Sequence, residues 1–294
     1  MNIEYKPEIV VDHNCELGEG PVWDAANKQI LWLDIKKGAI HQFNIYTKTH
    51  KIFSVGEMVG CIAPRESGGF IAGVENGVAF IDIEKDFVQH ILNPGEGTGN
   101  RFNDGKCDAA GRFWAGTMSL KEEANKGNLY VVETDLSLEK KIENVSISNG
   151  IAWNADSSIM YYIDTPTNYV FAFDYNINTG DIYNQRVVID LTHESGHPDG
   201  MTIDEEGMLW IAFYGGWRVA RYNPYTSALL QQVSMPVENV TCCTFGGIDL
   251  NDLYITTASQ NMSEEALADQ PHAGKLFVVK NIGVKGILPQ KFRG

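Results

Sequence analysis

The chain has 294 residues, 44% of them hydrophobic, with 29 glycines, 13 phenylalanines, 12 tyrosines and 6 tryptophans; this is enough to bury a sizeable core and suits many short strands joined by turns. A formal net charge of −15 excludes the basic footprint of a nucleic-acid binder and favours divalent cations. Met1–Glu8 lacks a basic then apolar leader, and no run approaches the roughly 18 apolar residues of a membrane span, so the expectation is a soluble cytosolic protein with no membrane partner.

In chain order, a turn rich in Asp, Asn, Gly and Ser is followed by an aromatic or β-branched run six times. The first three turns are Asp24–Asn27 before Ile30–Asp34, Arg65–Gly68 before Phe70–Gly73, and Asp108–Gly111 before Phe113–Gly116. The next three are Asn154–Ser157 before Met160–Asp164, Asp204–Gly207 before Leu209–Ala212, and Gly247–Asp252 before Leu253–Thr256. Most units continue into a second strand-like run: Ala39–Phe43, Asn128–Val132, Tyr169–Phe173, Arg218–Tyr222 and Lys275–Val279. A period of about 40 to 50 residues is that of a four-stranded propeller blade. Residues 1–294 are therefore expected to form one all-β domain, a six-bladed β-propeller of antiparallel four-stranded blades. Lys121–Asn125 and Ser263–Asp269 read as loops or single turns.

About five residues before each turn lies a position that the repeat makes equivalent from blade to blade, near the start of an inner strand. In four blades it holds Glu19, Asn103, Asn149 and Asp199, each followed within two residues by glycine; in the other two it holds Gly60 and Cys242. Inner strands line a propeller's channel, so these residues are expected to converge on its axis. Acids and amides alone suit a hard ion such as Ca²⁺, Mg²⁺ or Mn²⁺.

Other motifs lack the context their chemistry needs. His193-Glu194-Ser195-Gly196-His197 matches the zinc-protease pattern, but Gly196 and Pro198 forbid the helix that would bring both imidazoles to one face; His197 is expected beside the channel near Asp199. Gly95–Asn100 has no following Lys-Ser/Thr, and no Gly-x-Ser-x-Gly elbow occurs. His13, His41, His50, His90 and His272 are scattered without ligand spacing. Five cysteines in a chain without a secretory signal are expected to be reduced and buried, with Cys242 and Cys243 pointing opposite ways from a strand.

Leu17–Asp24, Asn100–Lys106, Ser148–Trp153 and Pro198–Asp204 resemble, in order, segments of the family that groups regucalcin (senescence marker protein), gluconolactonases and luciferin-regenerating enzyme. The likeness runs the whole chain and includes Gly283–Gly286 and Pro289 in the tail. The resemblance implies a propeller with one metal on Glu19, Asn149 and Asp199, calcium foremost, with zinc, manganese and magnesium as alternatives. It implies that Asp199 is also the general base and that Arg101 and Asn103 contact a sugar lactone, which is hydrolysed to the aldonic acid. The family's substrate-binding acid falls at Lys121 without gaps, so Glu122 is taken in its place, with Glu123 as the alternative; the Met118–Gly127 loop looks shorter than in animal members. The partner expected is a small-molecule lactone, the assembly a monomer or weak homo-oligomer. A non-catalytic calcium-binding protein and a metal-dependent esterase or phosphotriesterase are the other readings.

Overall fold

A computed structural model describes residues 5–294. Among these residues, 24 strands form six antiparallel four-stranded sheets, the blades of a six-bladed β-propeller. The first blade comprises β2 (Gly18–Asp24), β3 (Gln29–Asp34), β4 (Ala39–Asn44) and β5 (His50–Ser54), and the second β6 (Val59–Pro64), β7 (Phe70–Val74), β8 (Gly77–Asp82) and β9 (Phe87–Leu92). The third holds β10 (Asn100–Cys107), β11 (Phe113–Ser119), β12 (Gly127–Val132) and β13 (Leu138–Val145), and the fourth β14 (Ser148–Trp153), β15 (Ile159–Asp164), β16 (Tyr169–Asn176) and β17 (Asp181–Asp190). The fifth holds β18 (His197–Ile203), β19 (Leu209–Tyr214), β20 (Arg218–Tyr222) and β21 (Leu229–Ser234).

The sixth blade is assembled from both ends of the chain. β22 (Val240–Gly246), β23 (Asp252–Thr257) and β24 (Leu276–Val279) are completed at the rim by β1 (Glu8–Val11), which pairs antiparallel with β24. This pairing closes the ring and leaves no gap between first and last blades. Among the described residues, α-helix is confined to one short segment, Glu264–Asp269, capped by Ser263, whose side chain accepts from the Ala266 N–H, and a single 3-10 turn spans Thr165–Thr167.

Hydrophobic clusters lie between neighbouring blades. Trp210 and Val219 of the fifth blade pack with Phe245 and Leu253 of the sixth, and Leu33 and Ile40 of the first pack with Ile62 and Ala72 of the second. Acids anchor repeated turns within this apolar frame: Asp108 accepts from Trp114 Nε1 and Asp204 from Trp210 Nε1, both at 2.9 Å. Asp34 and Asp164, at equivalent strand ends, accept from the backbone N–H groups of residues 16–17 and 146–147. These four carboxylates are spent on the scaffold. Cys15, Cys61, Cys107, Cys242 and Cys243 are buried and unbridged.

Candidate functional site at one mouth of the channel

β2, β6, β10, β14, β18 and β22 are the inner strands, each packed on the next, with β2 against β22 completing the circle. Every one carries a β-bulge near its start: between Glu19 and Val22, Val59 and Cys61, Phe102 and Gly105, Asn149 and Ile151, Pro198 and Met201, and Val240 and Cys242. A bulge adds one unpaired residue and re-aims side chains. Here it does so at the same level of all six blades, which is why the equivalent positions converge. Close approach requires small residues there, since a Cβ on Gly60 would lie 2.2 Å from the Phe102 carbonyl oxygen.

Glu19, Arg101, Asn103, Asn149 and Asp199 are all buried and form one constellation. Arg101 Nη1 donates to Asn103 Oδ1 at 2.7 Å and to the Phe102 carbonyl at 2.9 Å. Asn103 Nδ2 donates to the Ser148 carbonyl at 2.8 Å and to Asn149 Oδ1 at 3.2 Å. Asn149 Nδ2 donates to Thr165 Oγ1 at 2.8 Å, which donates to the Pro198 carbonyl at 2.8 Å, one residue before Asp199. This relay across three blades fixes both amides and leaves the Asn149 oxygen a second lone pair.

Asp104 joins the group and was not singled out in the sequence. The buried Asp104 has one oxygen without a partner, while the other accepts from the Gly105 N–H at 2.7 Å. Glu19 likewise accepts from the Gly20 N–H at 2.7 Å. The signal was the strict acid-glycine step, shared by Glu19-Gly20, Asp104-Gly105 and Asp199-Gly200. Permitting a spacing of two residues selects Asn103 instead.

Three buried carboxylates repel one another. Burial, then the charge of Asp104, raises Glu19 from 4.5 to about 8. Burial, followed by Glu19 and Asp104, raises Asp199 far above the usual carboxylate range, and burial also raises Asp104. Burial lowers Arg101 to about 10 against the support of Glu19, Glu122 and Asp199. Lys106 also offsets the acids, while its ammonium donates to the Met201 carbonyl. Three acids against two cations, an orphaned carboxylate oxygen and all-oxygen donors fit a hard divalent cation, which would favour the ionised acids.

Glu122 lies on the exposed loop after β11 with left-handed φ of 56°, and its charge bears on both Arg101 and Tyr214. Glu123 turns away, accepting from Ser119 Oγ at 3.3 Å. His197, two residues before the buried Asp199, is exposed, with Nδ1 3.1 Å from Asn168 Oδ1. Glu194 pairs with Arg218 at 2.7 Å, so the His-Glu-x-x-His string is a surface turn. A cavity of about 300 Å³, lined by Val22, Ile62, Ile151, Trp153, Ile203 and Leu288, lies among the C-terminal halves of the inner strands and is not lined by the carboxylates.

The fold and the constellation define a six-bladed propeller with an acid-lined channel mouth. Residues 17–259 match the model of the SMP-30/Gluconolactonase/LRE-like region, and the chain belongs to that family. It is 42% identical to regucalcin of Danio rerio over 98% of this chain and 99% of that one. It is 38% identical to YvrE of Bacillus subtilis (strain 168), whose name assigns it to the sugar lactone lactonases, over 97% and 98% of the two chains. Among solved structures it is similar to a luciferin-regenerating enzyme, at TM-score 0.92, 30% identity and coverage of 99% and 100%. It is also similar to a calcium-binding protein, regucalcin, from Agrobacterium tumefaciens, at TM-score 0.94, 26% identity and coverage of 99% and 98%.

Proposed function

We propose that the protein is a metal-dependent lactonase that opens a sugar lactone to its aldonic acid at the acid-lined mouth. The observation that carries this reading is the buried set of three acids, Glu19, Asp104 and Asp199, beside the Arg101–Asn103–Asn149 relay. Membership of a family with a named sugar lactone lactonase supports it. Glu19, Asn149 and Asp199 would hold one divalent ion, with calcium first in view of the regucalcin relatives. When bound, such an ion supplies Lewis-acid polarisation of a carbonyl.

The chain's own groups account for the rest. Asp199 takes a proton from the attacking water and returns it to the ring oxygen as the acyl C–O bond breaks, leaving a carboxyl and a hydroxyl group. Arg101 and Asn103 orient the ring hydroxyls, and Glu122 accepts from one of them at the rim. Polar groups arranged in this way discriminate against an apolar ester that leaves them unpaired.

The test is a panel of aldonolactones followed by acid release, corrected for spontaneous hydrolysis, with wild type, Asp199→Asn and chelator-treated protein. Turnover by the wild type, lost in the other two and restored to chelated protein by added ion, is the expected result. Wild-type rates in Asp199→Asn refute the base, and rates unaffected by exhaustive chelation refute the metal. Tight calcium binding without turnover of any lactone would select a calcium-binding protein, and turnover of simple esters or phosphotriesters alone would select that activity.

A further inference from the structure

His13, Cys15, His41 and His50 are separated in sequence and come together where the ring closes. His13 and Cys15 lie on the segment that leaves β1, at the rim of the sixth blade, and enters β2, the inner strand of the first. That segment is pinned: Cys15 N–H donates to the Gly274 carbonyl at 2.9 Å, Ser259 Oγ to the Cys15 carbonyl at 2.9 Å, and Asn14 Nδ2 to the Ala273 carbonyl at 2.7 Å. His41 is on β4 and His50 on β5 of the first blade.

One ligand atom from each of His13, Cys15 and His41 lies within 4.8 Å of the others. Cys15 Sγ is 3.8 Å from His41 Nε2, and His41 Nδ1 is 3.0 Å from His50 Nε2. Tetrahedral zinc, with bonds of about 2.3 Å to sulfur and about 2.0 Å to nitrogen, separates neighbouring ligands by roughly 3.3 to 3.7 Å. The sulfur to nitrogen spacing is near this already. The widest pair must close by roughly 1 Å, which a rotation of the half-buried His13 can supply.

The surroundings favour ligation. His41 is buried and lies against the rings of His13 and His50. His50 can accept the His41 Nδ1–H, which leaves Nε2 a lone pair toward Cys15, the tautomer that a metal-ligating histidine needs. The Trp32 indole stacks on His41 and His50, and its buried N–H has no hydrogen-bond partner.

We propose that His13, Cys15 and His41 form a second metal site, distinct from the oxygen-rich channel mouth, which takes one borderline divalent transition-metal ion, zinc in the first instance. His50 positions His41. On binding, the Cys15 S–H bond breaks, a sulfur–metal bond forms and the proton leaves to solvent; no redox change occurs. Three protein ligands leave a fourth position for water. Because two ligands sit on the closing segment and one on the first blade, the ion fastens the connection from which β1 completes the sixth blade.

Cobalt(II) distinguishes this site from the channel mouth, because only thiolate ligation gives a sulfur-to-cobalt charge-transfer band. The experiment titrates cobalt into reduced, full-length protein with calcium present, followed by displacement with zinc. One equivalent should develop the band, zinc should remove it, and Cys15→Ser should lack it while Cys242→Ser and Glu19→Gln retain it. Zinc should raise the Tm of wild type but not of Cys15→Ser. If Cys15→Ser does not fold, His13→Ala, at a half-buried position, should weaken the cobalt band and the zinc shift. Absence of the band in wild type overturns the proposal. Its persistence in Cys15→Ser, or its loss in Cys242→Ser, would also do so, because the sulfur would then come from elsewhere.

Discussion

Replacing Glu19 by glutamine should stabilise the metal-free protein at pH 8 and abolish its response to calcium. The substitution keeps the volume and an acceptor for the Gly20 N–H, and removes only the charge. Glu19 is raised from its ordinary 4.5 to about 8 by burial and by Asp104, so the folded state holds this proton more tightly than the unfolded chain does. The associated stability is fully present below pH 4.5 and is lost as the pH rises to about 8. At about 1.36 kcal/mol per pH unit, the wild type should lose on the order of 5 kcal/mol across that window relative to Glu19→Gln. For a chain of this size, this corresponds to a Tm difference on the order of 10 °C at pH 8, shrinking toward zero near pH 5. Thermal unfolding of chelator-treated proteins, followed by circular dichroism at both pH values, measures it. Calcium should restore the wild type at pH 8, since a ligand selective for the folded state stabilises it. A Tm difference independent of pH, or an equal calcium shift in both proteins, would refute the electrostatic reasoning.

Further consequences are accessible to simple assays. Arg101→Lys should raise KM for the lactone with a smaller change in kcat, because Nη1 alone bonds Phe102 and Asn103 and an ammonium lacks the remaining planar N–H groups that would meet the substrate. Glu122→Gln should raise KM, whereas Glu123→Gln should leave kinetics unchanged, given that only Glu122 acts on Arg101 and Tyr214. Asp204→Ala should lower unfolding free energy by about 3–5 kcal/mol in denaturant titrations, as it strips Trp210 Nε1 and Arg221 of their buried acceptor. Gly60→Ala forces β6 and β10 apart and should cost about 1–3 kcal/mol along with activity, since the displaced strand carries Arg101 and Asn103.

The propeller was legible in the chain because turn chemistry and the aromatic or β-branched run after each turn are local properties, and Asp24–Asn27, Asp108–Gly111 and Asp204–Gly207 repeat the turn with little variation. The outer strands were not legible. Leu138–Val145 and Asp181–Asp190 are largely exposed, and residues that face water carry no hydrophobic period. β1 was missed because its partner β24 lies more than 250 residues away, and only ring closure brings the two together.

At the channel mouth, equal spacing from each turn brought Glu19, Asn149 and Asp199 to notice, and the structure gathers them. The same spacing picked out Asn103, which opens the bulge of β10 as Asp199 opens that of β18; Asp104, next along, was passed over because counting one position per blade cannot show that a bulge brings a second side chain of the same strand close to the acids. The His13–Cys15–His41 group has no period at all. What the sequence determined by itself was the repeated unit, set by interactions between residues a few positions apart. The tertiary structure alone decided which side chains meet, because closing six blades into a ring joins residues that no local pattern relates.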